Sequence, residues 1–133
     1  MRFFVDNNLA PSLAKMLHAL AEYDHHQVIH LRDRFLLNTP DSTWLQQLSR
    51  EGDWFVLSGD LRISRNPHER IFWQQSELIS FFLAKGWINA PFYEQAWKLA
   101  RWWPTILKVA LKAEAGAGFI IPFAASNKLK PLS

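Results

Sequence analysis

Three aspartates follow apolar segments that are typical of buried strands, either directly or within a few residues. Asp6 follows the apolar residues 3–5, Asp60 lies just beyond the apolar residues 54–57, and Asp41 begins a helical segment after another short strand. A strand without polar alternation is buried on both faces, which favours a parallel sheet covered by helices. Reacting groups gather beyond the carboxyl ends of such strands, so we expect these three carboxylates to converge at one edge.

Converging carboxylates indicate a cation site. Three acids in one cleft repel one another and have raised pKa values unless a cation neutralises them. Oxygen ligands suit Mg²⁺ or Mn²⁺, with Asp6 and Asp60 as primary ligands and Asp41 either completing the site or orienting a metal-bound water molecule. Such an ion holds a phosphodiester and activates a water molecule. Arg62 and Arg65, with Arg70 as a further candidate, are expected to bind the phosphates. A basic side chain between Asp6 and Asp60 would contradict this hypothesis.

Each acid also has a simpler interpretation. Asp6 could cap the turn before the first helix, and Asp60 could be an ordinary turn residue. Asp41 is favoured at the start of a helix by the helix dipole. Chance does not usually place three acids at strand ends, which favours a shared site.

Further polar residues could support the acids, namely Asn7, Ser58 and Glu69. Glu69 has two interpretations, because Asn66 and Pro67 are typical of a helix N-cap followed by its first residue. Glu69 would then complete a capping box, which explains its place more simply than a role in the cleft.

The elements that must position these residues follow from the apolar pattern. It predicts strands over residues 3–5, 28–31, 54–57, 78–83 and 119–121. It predicts helices over about 11–21, 39–51 and 67–76, and a longer one that begins at Asn89 or Pro91 and ends near Gly116. The last helix is expected to be interrupted or kinked at Pro104, and the lysine-rich tail beyond Ser126 is expected to be loose. The alternation predicts an α/β three-layer sandwich with a mostly parallel sheet of four to five strands.

Composition limits the class of protein. The 133 residues suit a single domain spanning 1–133, with 49% hydrophobic and 20% charged residues. The absence of cysteine excludes disulfides, zinc thiolate sites and thiol catalysis. No signal peptide and no membrane-spanning run is evident, so we expect a cytoplasmic protein that does not bind a membrane. The net charge of +3 has the sign expected of a nucleic-acid binder.

Three histidines, His25, His26 and His30, form a weaker metal candidate. A spacing of four residues shares a face only on a helix, whereas the residues between His26 and His30 indicate a strand. We expect these side chains at solvent-facing strand edges.

The C-terminal helix carries three tryptophans, more than a single helix can bury in one core. Trp97, Trp102 and Trp103 cannot all point inward, so at least one is a candidate for a partner surface. The same helix carries a basic stripe, expected to be mostly solvated: Lys98, Arg101, Lys108 and Lys112.

Three motifs together resemble a known family. They are Phe-Phe-Val-Asp-Asn-Asn-Leu at 3–9, Thr-Pro-Asp-x-x-Trp at 39–44 and Ser-Gly-Asp-x-Arg-Ile-x-Arg-Asn-Pro at 58–67. In order and spacing they resemble the compact PIN-like domains, and within these the VapC-type toxins of bacterial toxin–antitoxin pairs. The resemblance covers nearly the whole chain, including Trp-Lys-Leu-Ala-Arg-Trp-Trp-Pro at 97–104.

This resemblance implies a metal-dependent endoribonuclease, in which Asp6, Asp41 and Asp60 form the catalytic and metal-binding cluster. It also implies a growth-inhibiting toxin restrained by an antitoxin protein. A second copy of the chain, forming a homodimer, is a further candidate partner. Relatives often carry one or two further acids after the aspartate of the second motif, whereas this chain has Ser42 and Thr43 there. The alternative function is therefore a weak or inactive PIN-like module that binds RNA or a protein.

A receiver-type phosphoacceptor is the remaining alternative, because that fold also places aspartates after its first and third strands. It normally has paired acids after strand one and a lysine after the last strand. Here Asn7 and Asn8 follow Asp6, and Pro122 follows the last predicted strand, which disfavours this alternative.

Overall fold

A six-stranded sheet forms the centre of the chain, for which the computed structural model describes residues 1–124 and 128–132. Across the sheet, the strands lie in the order 2-1-3-4-5-6. The first five are parallel, and the sixth is antiparallel to the fifth. In chain order the strands are β1 (Arg2–Val5), β2 (Gln27–His30), β3 (Trp54–Ser58), β4 (Ile79–Leu83), β5 (Gly118–Ile121) and β6 (Lys130–Pro131).

Helices follow the parallel strands. Within the described residues they are α1 (Pro11–Ala21), α2 (Asp41–Glu51), α3 (Arg62–Arg65), α4 (Pro67–Gln75) and α5 (Phe92–Lys112). Proline at the first position of α1 and α4 and the positive φ of Gly52 at the end of α2 fix three of these boundaries. The parallel βα alternation predicted from the apolar pattern is confirmed.

Strand β1 is apolar throughout because both of its faces are covered. Phe3 and Val5 point into a cluster with side chains of α1 and α5, and Phe4 points into a second cluster with side chains of α2 and α4. All three are at most 1% exposed. Successive strand residues face opposite sides of a sheet, so a helix layer on each side requires an unbroken apolar run. The predicted three-layer α/β sandwich is therefore confirmed, with six strands instead of four to five.

Helix α5 continues through Pro104 as one helix of 21 residues, so the chain is not interrupted there. The helix ends at Lys112 instead of near Gly116. Proline removes one backbone donor from a helix. Here Trp102, Trp103 and Ile106, on either side of the proline, are buried against the sheet, and this packing stabilises both halves of the helix.

The C-terminal tail is ordered where it is described, which corrects the expectation of a loose segment beyond Ser126. Residues Lys130 and Pro131 form β6 against β5. The Leu132 backbone N–H donates to the Gly118 carbonyl at 2.8 Å, and the Leu132 side chain lies over Gly118, where a Cβ atom would be 3.0 Å from it. Residues 125–127 and 133 lie outside the described part of the chain.

Within the described residues, no helix combines the length and the apolar character needed to cross a membrane.

Candidate active site

The register between β1 and β3 brings Asp6 beside Ser58. These parallel strands are neighbours, with Val5 opposite Leu57. The Asp6 backbone N–H donates to the Leu57 carbonyl at 2.9 Å, and the Ser58 hydroxyl donates to Asp6 Oδ2 at 2.8 Å. The Asp60 backbone N–H in turn donates to Ser58 Oγ at 3.1 Å. Ser58 therefore links the first and third acidic motifs at the carboxyl ends of the two strands.

Asp6 is the most buried of the three acids, with 6% of the residue exposed. Burial raises the pKa of its carboxyl from 3.8 to about 6. The Ser58 hydroxyl and the Asn7 backbone N–H, which donates to Oδ1 at 2.6 Å, oppose that rise. The charges of Asp41 and Asp60 add to it, so the three carboxylates share one electrostatic environment.

Asp60 has the opposite shift because Arg62 lies against it. Burial raises the pKa of Asp60, but the hydrogen bonds and the charge of Arg62 outweigh burial and leave the pKa below its usual value. The Arg62 backbone N–H donates to Asp60 Oδ1 at 2.9 Å, and Arg62 Nη2 donates to Oδ2 at 2.6 Å. The backbone contact closes a turn of the kind that the simpler interpretation expected, so Asp60 has both a turn role and a place in the cluster.

Asp41 reaches the same guanidinium from another helix. Its Oδ2 accepts from Arg62 Nη2 at 3.0 Å, and its Oδ1 accepts from Trp44 Nε1 at 3.2 Å. Asp41 is the first residue of α2, where an acid is favoured by the helix dipole, and it follows the N-cap residue Pro40. Trp44 lies three residues further along the helix, a spacing that brings side chains together. The indole therefore holds one oxygen of Asp41 and leaves the other facing the cluster.

Arg62 thus forms ion pairs with two of the predicted metal ligands. Its side chain is 61% exposed, and its Nη1 lies 3.9 Å from Glu69 Oε1. The hydrogen bonds and charge of Asp60, with smaller contributions from Glu69 and Asp41, raise the pKa of Arg62. The sequence predicted that Arg62 binds phosphate, but here its guanidinium binds Asp60 and Asp41.

The capping box predicted for Glu69 is wrong. The Asn66 side chain does cap α4, accepting from the His68 backbone N–H at 2.9 Å. The backbone N–H of Asn66 donates to the Arg62 carbonyl instead, at 2.8 Å. Glu69 faces Arg62 and lines a cavity of about 480 Å³ together with Asp41. Arg65 lines a different cavity of about 280 Å³ that also borders Asp60.

Sequence reasoning missed two residues that hold the loops around the acids. Asn8 Oδ1 accepts from the Gly59 backbone N–H at 2.9 Å, which ties the turn after β1 to the turn after β3. Arg32 Nε donates to Asn7 Oδ1 at 2.8 Å, which connects Asn7 to the segment after β2. The sequence signal for Asn8 was its place in a turn, and nothing local indicated the Arg32 contact.

The histidines do not form a metal site. His30 is 1% exposed, so the expectation of a solvent-facing side chain is wrong for it. Its Nε2 lies 2.7 Å from the Leu9 carbonyl, and its Nδ1 accepts from the Arg32 backbone N–H. The turn between β1 and α1 covers this end of β2, and both ring nitrogens bind backbone groups.

A family model described as PIN like domain matches residues 1–85. This range contains β1 to β4 and all the acidic residues described above. The chain belongs to the PIN-like domain family. No curated protein and no solved structure matches the chain. The resemblance inferred from the three motifs is thereby confirmed at the level of the family.

The acids of this PIN-like domain fit a hard divalent cation in chemistry but not in their present arrangement. The atoms of the three aspartates that could bind a metal ion are all carboxylate oxygens, which Mg²⁺ and Mn²⁺ prefer. However, no group of three or more His, Asp or Glu side chains within residues 1–124 and 128–132 is placed to hold a metal ion. The guanidinium of Arg62 is the cation that now lies between Asp41 and Asp60.

We expect Ser58→Ala to destabilise the PIN-like domain by about 1–2 kcal/mol at pH 7.5, because it removes a hydrogen bond to the buried Asp6 carboxylate. The matched control is Ser80→Ala on β4. Ser80 is also buried, and its hydroxyl has no hydrogen-bond partner among the residues that the structure describes. Urea unfolding of both variants measures the difference, and equal stability losses would contradict the assigned role of Ser58.

Proposed function

We propose that this PIN-like domain is a metal-dependent endoribonuclease that hydrolyses RNA phosphodiester bonds, with Mg²⁺ or Mn²⁺ held by Asp6, Asp41 and Asp60. One observation carries this proposal. Three acids from separate parts of the chain meet at the carboxyl edge of the sheet, where Asp41 and Asp60 share one cation and both raise the pKa of Asp6. Perturbed acids in an open cleft are typical of functional sites, and PIN-like domains are commonly nucleases.

The residues of the chain have separable roles in this proposal. Ser58 and the Asn7 backbone N–H bind the two oxygens of Asp6 and fix the orientation of its carboxylate. Trp44 holds Asp41 in the same way through one oxygen. A bound divalent ion would polarise the phosphodiester and activate a water molecule. Arg62, once released from the acids, and Arg65 would bind the phosphate backbone.

The biological role that we propose is that of a toxin of a type II toxin–antitoxin pair, acting in the cytoplasm. The support is the order and spacing of the three motifs. The proposed partners are RNA, an antitoxin protein and, as a further possibility, a second copy of the chain. On α5, Trp97 is 55% and Tyr93 82% exposed, which is consistent with a protein partner. Induced expression in a bacterium should stop growth for the wild type and not for Asp60→Asn.

A weak or inactive PIN-like module that binds RNA or a protein is the second candidate. The specific observation in its favour is Arg62, which already neutralises Asp41 and Asp60. Ser42 and Thr43, at positions where relatives often carry acids, point the same way. This candidate predicts RNA binding without cleavage.

The deciding experiment compares cleavage of mixed RNA with Mn²⁺, with Mg²⁺ and with EDTA. We expect cleavage by the wild type with either ion, and none by Asp60→Asn or with EDTA. The matched control is Asp53→Asn at the opposite end of β3. Asp53 is exposed and has a φ of 61°, a conformation that asparagine also adopts readily. Equal cleavage by all three proteins, or cleavage in EDTA, would contradict the proposal, and binding without cleavage would favour the second candidate.

A further inference from the structure

The guanidinium of Arg62 binds the carboxylate oxygens that a metal ion would need as ligands. Its Nη2 donates to Asp60 Oδ2 at 2.6 Å and to Asp41 Oδ2 at 3.0 Å. Its Nε is 3.0 Å from Asp60 Oδ1 and 3.1 Å from Oδ2. Both oxygens of Asp60 and the inward oxygen of Asp41 therefore accept hydrogen bonds from one guanidinium.

From this geometry we propose that Arg62 is a built-in counter-cation of the acidic cluster, and that it must leave Asp41 and Asp60 before a divalent ion can bind. The inference rests on the proposed function, because it concerns the regulation of the same site. Docked Arg62 and a bound metal ion would then exclude each other.

Two physical reasons support this exclusion. Carboxylate oxygens lie roughly 2.0–2.1 Å from Mg²⁺, so the ion needs the lone pairs at which the N–H groups of Arg62 now point. Arginine also remains charged at any pH that the protein tolerates, so it cannot share the site by losing a proton. The guanidinium and the ion would repel each other at contact distance.

The position of Arg62 allows it to leave. The side chain is 61% exposed, and it begins α3, a helix of only four residues. Water can solvate the released guanidinium, whereas the Asp60 and Asp41 side chains are only 9% and 30% exposed, so the incoming ion would have to replace the charge of Arg62. The backbone contact to Asp60 Oδ1 does not depend on the side chain. Once released, the guanidinium would be free to bind a phosphate of the RNA substrate.

The test is Mn²⁺ binding, measured by isothermal titration calorimetry without RNA. We expect Arg62→Gln to bind Mn²⁺ roughly ten-fold more tightly than the wild type, which is within the usual range for coupled sites. Arg65→Gln is the matched control, because it removes the same charge from the same short helix. Arg65 also borders Asp60 but makes no ion pair with the acids in the described part of the chain. Its Mn²⁺ affinity should stay within about two-fold of the wild type, as expected for a screened exposed charge.

Melting temperatures show whether the variants are folded, and they test Mn²⁺ binding independently. Without the counter-cation the acids repel one another, so Arg62→Gln should melt below the wild type in EDTA, and Mn²⁺ should raise its melting temperature more than that of the wild type. If the wild type and both arginine variants bind Mn²⁺ equally and Asp60→Asn does not, the exclusion by Arg62 is wrong and the metal site stands. If no variant binds Mn²⁺, both the exclusion and the proposed metal site are wrong.

Discussion

Replacing Asp6 by asparagine is expected to lower RNA cleavage by roughly 100-fold or more, because even residues that only support metal ligands contribute about 10–100-fold. The same change is expected to stabilise the fold at pH 7.5 by about 2 kcal/mol. The reason is that Asp6 is 6% exposed and its ionised form is unfavourable in the folded chain. Asparagine keeps an oxygen that can accept from Ser58, loses the acceptor of the Asn7 backbone N–H, and removes the buried charge, which is the larger effect.

The pH dependence of stability follows from the same pKa. The pKa of Asp6 is raised from 3.8 to about 6 in the folded chain, so the folded state binds the proton more tightly than the unfolded state does. Protonation of Asp6 therefore stabilises the folded state. This stabilisation is fully present below pH 3.8 and is lost as the pH rises through about 6. In Asp6→Asn this loss between pH 4 and 7 should be absent.

Urea unfolding at several pH values, in EDTA so that no ion binds, measures both effects. Asp53→Asn is the control, since this exposed aspartate precedes β3 and lies away from the acids. It should leave cleavage and the pH profile unchanged. An Asp6→Asn protein that is less stable than the wild type at pH 7.5, or that keeps the same pH profile, would show that burial does not raise the pKa of Asp6.

Trp44→Ala is expected to have the largest effect on stability, a loss of about 4 kcal/mol. Trp44 is fully buried, its ring stacks on Phe4 with centroids 4.9 Å apart, and it meets Trp73 edge-on at 5.5 Å. Truncation would leave a cavity between the sheet and the two helices on that face. A loss of this size is a large part of the roughly 5–15 kcal/mol that stabilises a typical domain.

Two further variants separate packing from the polar contact. Trp44→Phe keeps an aromatic ring but removes the N–H that binds Asp41, and we expect a loss of about 1–2 kcal/mol together with reduced cleavage. Trp97→Ala removes an indole that is 55% exposed and should change the free energy of unfolding by less than about 1 kcal/mol. Similar unfolding midpoints for the alanine variants of Trp44 and Trp97 would contradict the assigned packing.

The sequence by itself determined the five parallel strands, the helices α1, α2, α4 and α5, and the edge at which the acids meet, but not α3 or β6. The apolar run of β1 required helices on both faces, and Pro11, Gly52 and Asn66 fixed helix ends through local backbone and capping preferences. Asp6 and Asp60 were placed at strand ends by the same local pattern. Such features depend on residues that are close in sequence, so their chemistry can be predicted without knowing the packing.

Only the tertiary structure decided which side chains touch. Arg62 binds Asp41, which is 21 residues away, and Arg32 binds Asn7, which is 25 residues away. His30 is buried by a turn from another part of the chain. These contacts depend on strand register and on the angle at which each helix leaves the sheet, and neither quantity is encoded in a local pattern of residue types.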